Sequence, residues 1–313
     1  MSPLKKCCRK YTKFFLTLLS LSLLTPDAGG AEQSWKRLTD ANFQIVYQKK
    51  DAKNAVSLLA TLTSVAPDIS QKLGAALPDT ITVIIAPTEK VYRQFAGSAF
   101  PDWSQGLASP GQNLILMKSP RFLHLSRGYD KIAVHELTHI VLNRAVGNQG
   151  IPRWLNEGIA VYFSKEKAFA SNSMVSKALL TKSIIPLEEI DRVLLFNNEK
   201  AQLAYQESYL AVRFLFEHFG AEKVKEILRR ISSGEETDQA FAGAIGMDFA
   251  QFERTWLAKI SETHRWQFLV DFDTYLWIFV LLLFLLGFVL VRRRNRLKIK
   301  QWEEDEFDDF DTV

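Results

Sequence analysis

The sequence predicts an α+β fold: a small mixed β-sheet, then a mainly helical body, then one C-terminal transmembrane helix. Three observations predict it. Short runs rich in Val, Ile and Tyr fall within the first 117 residues and read as strands. From residue 129 to 260 the apolar residues recur at helical spacing instead. Residues 274–291 then run for eighteen positions without a charge.

The length and the 47% hydrophobic content give room for one substantial domain plus extra segments. The net charge of +4 is modest, and the basic residues are not gathered on one folded element. That argues against a nucleic-acid partner.

At the N-terminus, Lys5, Lys6, Arg9, Lys10 and Lys13 precede a short apolar run, residues 14–24, and then Pro26, Asp27, Ala28, Gly29 and Gly30. A positive start, a short apolar middle and a small-residue end make residues 1–30 a secretory signal peptide, cleaved near Gly30 or Ala31. An uncleaved anchor is the alternative. Cys7 and Cys8 are the only cysteines and lie before the apolar run, so the mature chain has no disulfide and no thiolate ligand.

The exported body is expected over residues 32–270. Residues 43–47 and 80–85 read as strands, and so does Leu114-Ile115-Leu116-Met117. Residues 52–73 are broadly helical, with Pro67 a kink or boundary, and residues 89–95 are a short helix. Residues 101–111 are rich in Pro, Gly and Ser and read as loop. A helix begins near Asp130, its expected N-cap, and ends at Gly147. Pro152 suits the first turn of the next helix. Residues 168–183 are a mixed helix or lid, and residues 186–190 a loop leading into a short helix. Residues 200–219, 223–231, 239–245 and 248–260 read as further helices.

The uncharged residues 274–291 are long enough to span a bilayer, and Arg292, Arg293, Arg294, Arg296, Lys298 and Lys300 follow directly. The positive-inside rule puts those charges, and the tail 292–313, in the cytoplasm, with the body outside it. A bacterial inner membrane is the expected compartment, although a signal and a single anchor serve a eukaryotic secretory route equally well. The acidic end, residues 303–311, is too charged to fold alone and is expected to be a solvated tail; docking of a cytoplasmic partner through Phe307 and Phe310 is the alternative.

Chemistry concentrates in His135-Glu136-Leu137-Thr138-His139. On a helix, His135 and His139 lie one turn apart on one face, where two imidazoles can share a metal ion. Glu136 sits beside the first of them, placed to touch a metal-bound water without being a ligand. This is the H-E-x-x-H pattern of zinc hydrolases. Such a site needs a third protein ligand, and Glu157 in Trp154-Leu155-Asn156-Glu157-Gly158 is the best candidate.

These two motifs together resemble the gluzincin metallopeptidases, and most closely the peptidase MA-like group, whose members are often exported or membrane-bound. The resemblance is strong from His135 to about Gly220 and weaker over the rest of the body, from Asn42 to Trp256. It implies a zincin-type catalytic domain acting on a peptide or protein substrate, with Zn2+ held by His135, His139 and Glu157 and with Glu136 as general base. It also implies an edge strand that pairs with the extended substrate, for which Leu114 to Met117 are the candidates. A tyrosine near the substrate carbonyl is implied as well: Tyr205, in Tyr205-Gln206-Glu207-Ser208, with Tyr209 the alternative. The chain departs from aminopeptidase N-like enzymes in one respect. Their Gly-x-Met-Glu-Asn motif is replaced by Gly111-Gln112-Asn113, without the amine-binding Glu, which favours internal cleavage. Competing readings are a non-catalytic scaffold or chaperone of the same fold and a zinc amidase acting on cell-wall peptide. His124, His218 and His264 are expected to be surface or packing residues.

Overall fold

The protein is described from a computed structural model. The structure describes residues 34–96, 105–123, 128–147, 149–165, 173–264 and 267–310. The expected signal segment, both cysteines and His124 lie outside them. Contacts group the chain into two compact units, Met1–Ser64 with Pro78–Arg127, and Val65–Leu77 with Gly128–Val313.

The first unit carries a five-stranded mixed sheet, ordered β1-β2-β3-β5-β4. Strands β1 (Trp35–Asp40) and β2 (Phe43–Gln48) form an antiparallel hairpin. Helix α1 (Ala52–Leu73) carries the chain over to β3 (Ile81–Ala86), parallel to β2. It continues through Pro67, and the division between the units falls just before that residue. Helix α2 (Glu89–Ala96) follows β3; Tyr92 and Ala96 pack with Ile84, Ala86 and Leu116 of the sheet. Strict alternation in β2 buries Phe43, Ile45 and Tyr47 on one face.

Strand β4 (Gly106–Ser109) lies within the stretch expected to be loop. The turn Pro110–Gln112, completed by Asn113 at φ 48, reverses the chain into β5 (Leu114–Lys118). Asn tolerates that left-handed conformation, so the local sequence does specify the reversal. Strand β5 then pairs with β3 on one side and β4 on the other. This corrects the expectation for Leu114, Ile115, Leu116 and Met117: they form an inner strand, and their backbone groups are taken on both sides. Beyond β5, Asp51 is buried but fully compensated. It accepts from Ser119 Oγ at 2.8 Å, Asn54 Nδ2 at 2.9 Å and the Arg121 guanidinium at 3.1 and 3.2 Å. Arg121 belongs to α3 (Pro120–Leu123).

Apart from residues 65–77, the second unit is built of helices: α4 (Tyr129–Val146), α5 (Arg153–Ser164), α6 (Ser173–Thr181), α7 (Asn198–Phe214), α8 (Ala221–Ser232), α9 (Thr237–Ile245), α10 (Phe249–His264) and α11 (Gln267–Phe310). Helix α7 runs on into a π turn, Leu215–Phe219, where His218 stacks on Phe214 at 5.0 Å. The N-cap of α4 is Gly128, and Asp130 falls in its first turn, where a carboxylate still complements the helix dipole.

Helix α11 contains one stretch, Tyr275–Ile299, long and apolar enough to cross a membrane. Its large apolar side chains are exposed, Phe284 at 70% and Leu281 at 56%, which a buried core helix would not show. The acidic end, expected not to fold alone, continues the helix started upstream through Phe310. Extending an existing helix avoids the cost of nucleation, which an isolated acidic segment would have to meet.

Candidate metal centre

The middle of helix α4 is largely buried, with Asp130, Asn143 and Arg144 exposed toward its ends. Ala133, Val134, Leu137, Ile140 and Val141 are buried, and Thr138 satisfies its hydroxyl on the Val134 carbonyl at 2.7 Å. The half-open strip left over carries Ile132, His135, Glu136 and His139. Spacing therefore puts the two imidazoles and Glu136 together where solvent can reach them, on a helix otherwise locked by its core.

Helix α5 supplies the third group and is anchored at its start. Trp154 is fully buried and stacks on Phe249 at 5.7 Å and Phe252 at 5.9 Å, with Phe241 at 6.2 Å. The Arg153 backbone N–H donates to Asp191 at 2.7 Å, so a distant carboxylate satisfies an orphan donor of the first turn. One turn later α5 meets α7. A Cβ on Gly158 would strike the Ser208 carbonyl and the Val212 side chain, so only glycine lets the backbones come this close.

Glu157, beside that contact, has Oε2 3.5 Å from His135 Nε2 and 3.8 Å from His139 Nε2. One potential ligand atom from each of the three residues lies within 4.8 Å of the other two. Tetrahedral zinc, with bonds of about 2.0–2.2 Å, sets neighbouring donors about 3.3–3.6 Å apart. The two nitrogens and one carboxylate oxygen fit that demand with small side-chain adjustments. His139 Nδ1 lies 2.8 Å from Asn156 Oδ1. A carbonyl oxygen only accepts, so Nδ1 carries the proton and Nε2 presents its lone pair toward Glu157.

The charges suit a cation. Burial pushes the Glu157 carboxyl up, but hydrogen bonding to His135 and the charges of His139, His135 and Arg153 outweigh it and bring it down to about 2. Burial lowers His139, with His135 and Arg153 acting the same way, although Glu157 and Asn156 pull the other way.

A model of the peptidase MA superfamily matches residues 61–262, more than half of the chain. The chain belongs to the peptidase MA superfamily. No curated protein matches the sequence. Among solved structures it is similar to an M1 zinc metallopeptidase from Deinococcus radiodurans, at 16% identity and a TM-score of 0.39, covering 72% of this chain and 51% of that one. A mutant of that enzyme bound to a Tyr-Ser-Ala substrate gives 15%, 0.40, 72% and 51%. The chain thus spans about half the length of these structures.

The residues singled out from the sequence are distributed as follows. His135, His139 and Glu157 of this superfamily member converge, with Glu136 on the same strip of α4. Tyr205 is on α7, one turn before Ser208, so its turn neighbours the one that meets Gly158. Tyr209 is close enough to Tyr162 of α5, further along that helix, to influence its ionisation. Sequence reasoning passed over Asn156, Arg153 and Asp191. For Asn156 the available signal was its place directly before Glu157; Asp191 gave none, because it meets α5 only through folding.

Proposed function

We propose that this chain is a membrane-anchored, zinc-dependent endopeptidase whose body lies outside the cytoplasm. The observation that carries the reading is the convergence of His135, His139 and Glu157 with Glu136 beside them on a helix whose middle is otherwise largely buried. Those three residues would hold the ion. Zinc bound there supplies a Lewis acid for an amide carbonyl and brings the pKa of a bound water to about 7. Glu136 takes the proton of the attacking water and later delivers it to the departing nitrogen. Tyr205 donates a hydrogen bond to the carbonyl oxygen as it gains charge, with Tyr209 on the same helix the alternative. Internal cleavage is favoured because the sequence has Gly111-Gln112-Asn113 where aminopeptidase N-like enzymes carry a motif with the amine-binding Glu. Anchoring rests on Tyr275–Ile299 and the basic residues within and after it, with residues 1–30 as the export signal.

The test uses the full chain in detergent. One zinc per chain is expected, lost in His139→Ala. Glu136→Gln is expected to keep the metal and to hydrolyse N-terminally blocked peptides roughly 10²–10⁴-fold more slowly. A Glu136→Gln protein as active as wild type, or a folded wild-type chain that takes up no zinc, sinks the reading. Cleavage restricted to peptides with a free amino terminus would replace endopeptidase with aminopeptidase.

A further inference from the structure

Glu157 divides its two oxygens. Oε2 faces both imidazoles, at 3.5 and 3.8 Å, and Oε1 faces Arg153 Nη1 at 3.9 Å. We propose that Arg153 is a positioning residue: it holds Oε1 so that Glu157 offers a metal ion one oxygen rather than two. The inference rests on the zinc-site reading above.

Three observations point this way. Arg153 is poorly placed as a helix-stabilising pair, since a cation in a first turn opposes the dipole and the acid belongs on the N-terminal side of such a pair. It is also no ordinary surface pair, because its side chain is only 33% exposed and its partner 15%. Finally, its backbone is pinned: its own N–H is bound by Asp191 at 2.7 Å, and its neighbour Trp154 is locked in the aromatic cluster. The root of the side chain is therefore fixed one turn before Glu157, on the same helix face. A carboxylate that binds through both oxygens raises the coordination number and takes the position that water needs. A guanidinium against the second oxygen prevents this while leaving the first free.

The test uses the full chain in detergent, with metal alone as the probe. Cobalt(II) reports coordination number through its visible band, which is strong for four ligands and weak for five or more. Arg153→Gln is expected to weaken that band at least two-fold, and Arg153→Lys, which keeps a cation, to restore most of it. Competition against a chelator is expected to show zinc binding about ten-fold weaker in Arg153→Gln. A merely neighbouring cation predicts the opposite sign, because removing it would favour a divalent ion. A folded Arg153→Gln protein with the wild-type cobalt band and equal or tighter zinc binding overturns the role of Arg153 and leaves the site intact. A wild-type chain that binds neither metal overturns both.

Discussion

At the scale of single residues, the centre depends on side chains that never touch the ion. Asn156 fixes the tautomer of His139 through one 2.8 Å contact. Asn156→Ala should leave the fold in place and weaken zinc binding about 10–100-fold, as read by chelator competition. The two histidines and Glu136 were legible in the sequence because their geometry is local: four residues along a helix is one turn, whatever else folds around it. Glu157 was nominated from its place one turn into the next helix and from the need for a third ligand, but nothing in spacing alone brings α5 to α4. Arg153 stands at the same one-turn spacing from Glu157 and was passed over, whereas Asp191 was not legible, because it meets α5 from 38 residues away along the chain.

At the scale of elements, the contact between α5 and α7 is the critical joint. Gly158→Ala would put a methyl into the Ser208 carbonyl, and the helices would have to part. The expected loss is about 1–3 kcal/mol by denaturant unfolding, with reduced metal uptake because Glu157 is the adjacent residue. Glu207, also on α7, is fully buried and accepts the Ile185 N–H on both oxygens at 3.2 Å. Burial, with the Glu253 charge adding to it, holds its carboxyl up at about 8 against an ordinary 4.5, despite the Ile185 bond and Lys200. Between those two values only the folded chain keeps the proton, so stability falls as pH rises through that window and levels off above it. Glu207→Gln should therefore be more stable than wild type at pH 8, by on the order of 2 kcal/mol, and nearly indistinguishable at pH 4. A pair of melting curves at the two pH values checks the sign. Most helices and three of the five strands were legible from periodicity. The missed strands share a cause. β1 is an edge strand with four of its six residues exposed, and β4 is four residues long in a Gly- and Pro-rich setting. Neither has enough apolar alternation to announce itself, and each is held as a strand by its partner.

At the scale of the molecule, the proposed anchoring rests on α11. Replacing Leu282 and Leu285 by Arg, each costing about 2.5–3.5 kcal/mol at a span centre, should release the chain from membranes resistant to a carbonate wash, as seen by fractionation. The long apolar helix was legible from composition alone; its unbroken course through Phe310 was not, because a charged tail reads as disorder until something upstream has started the helix. The burial of Trp154 among Phe241, Phe249 and Phe252 carries a different consequence, one of timing. His135, Glu136, His139 and Glu157 have all been synthesised by position 157, but the ring partners that seat α5 come more than eighty residues later. A nascent chain would thus carry a complete set of donors with no means of aligning them. Seating of α5 is expected to be late, and a chain ending before Phe249 would carry all four residues without the ring contacts that hold α5.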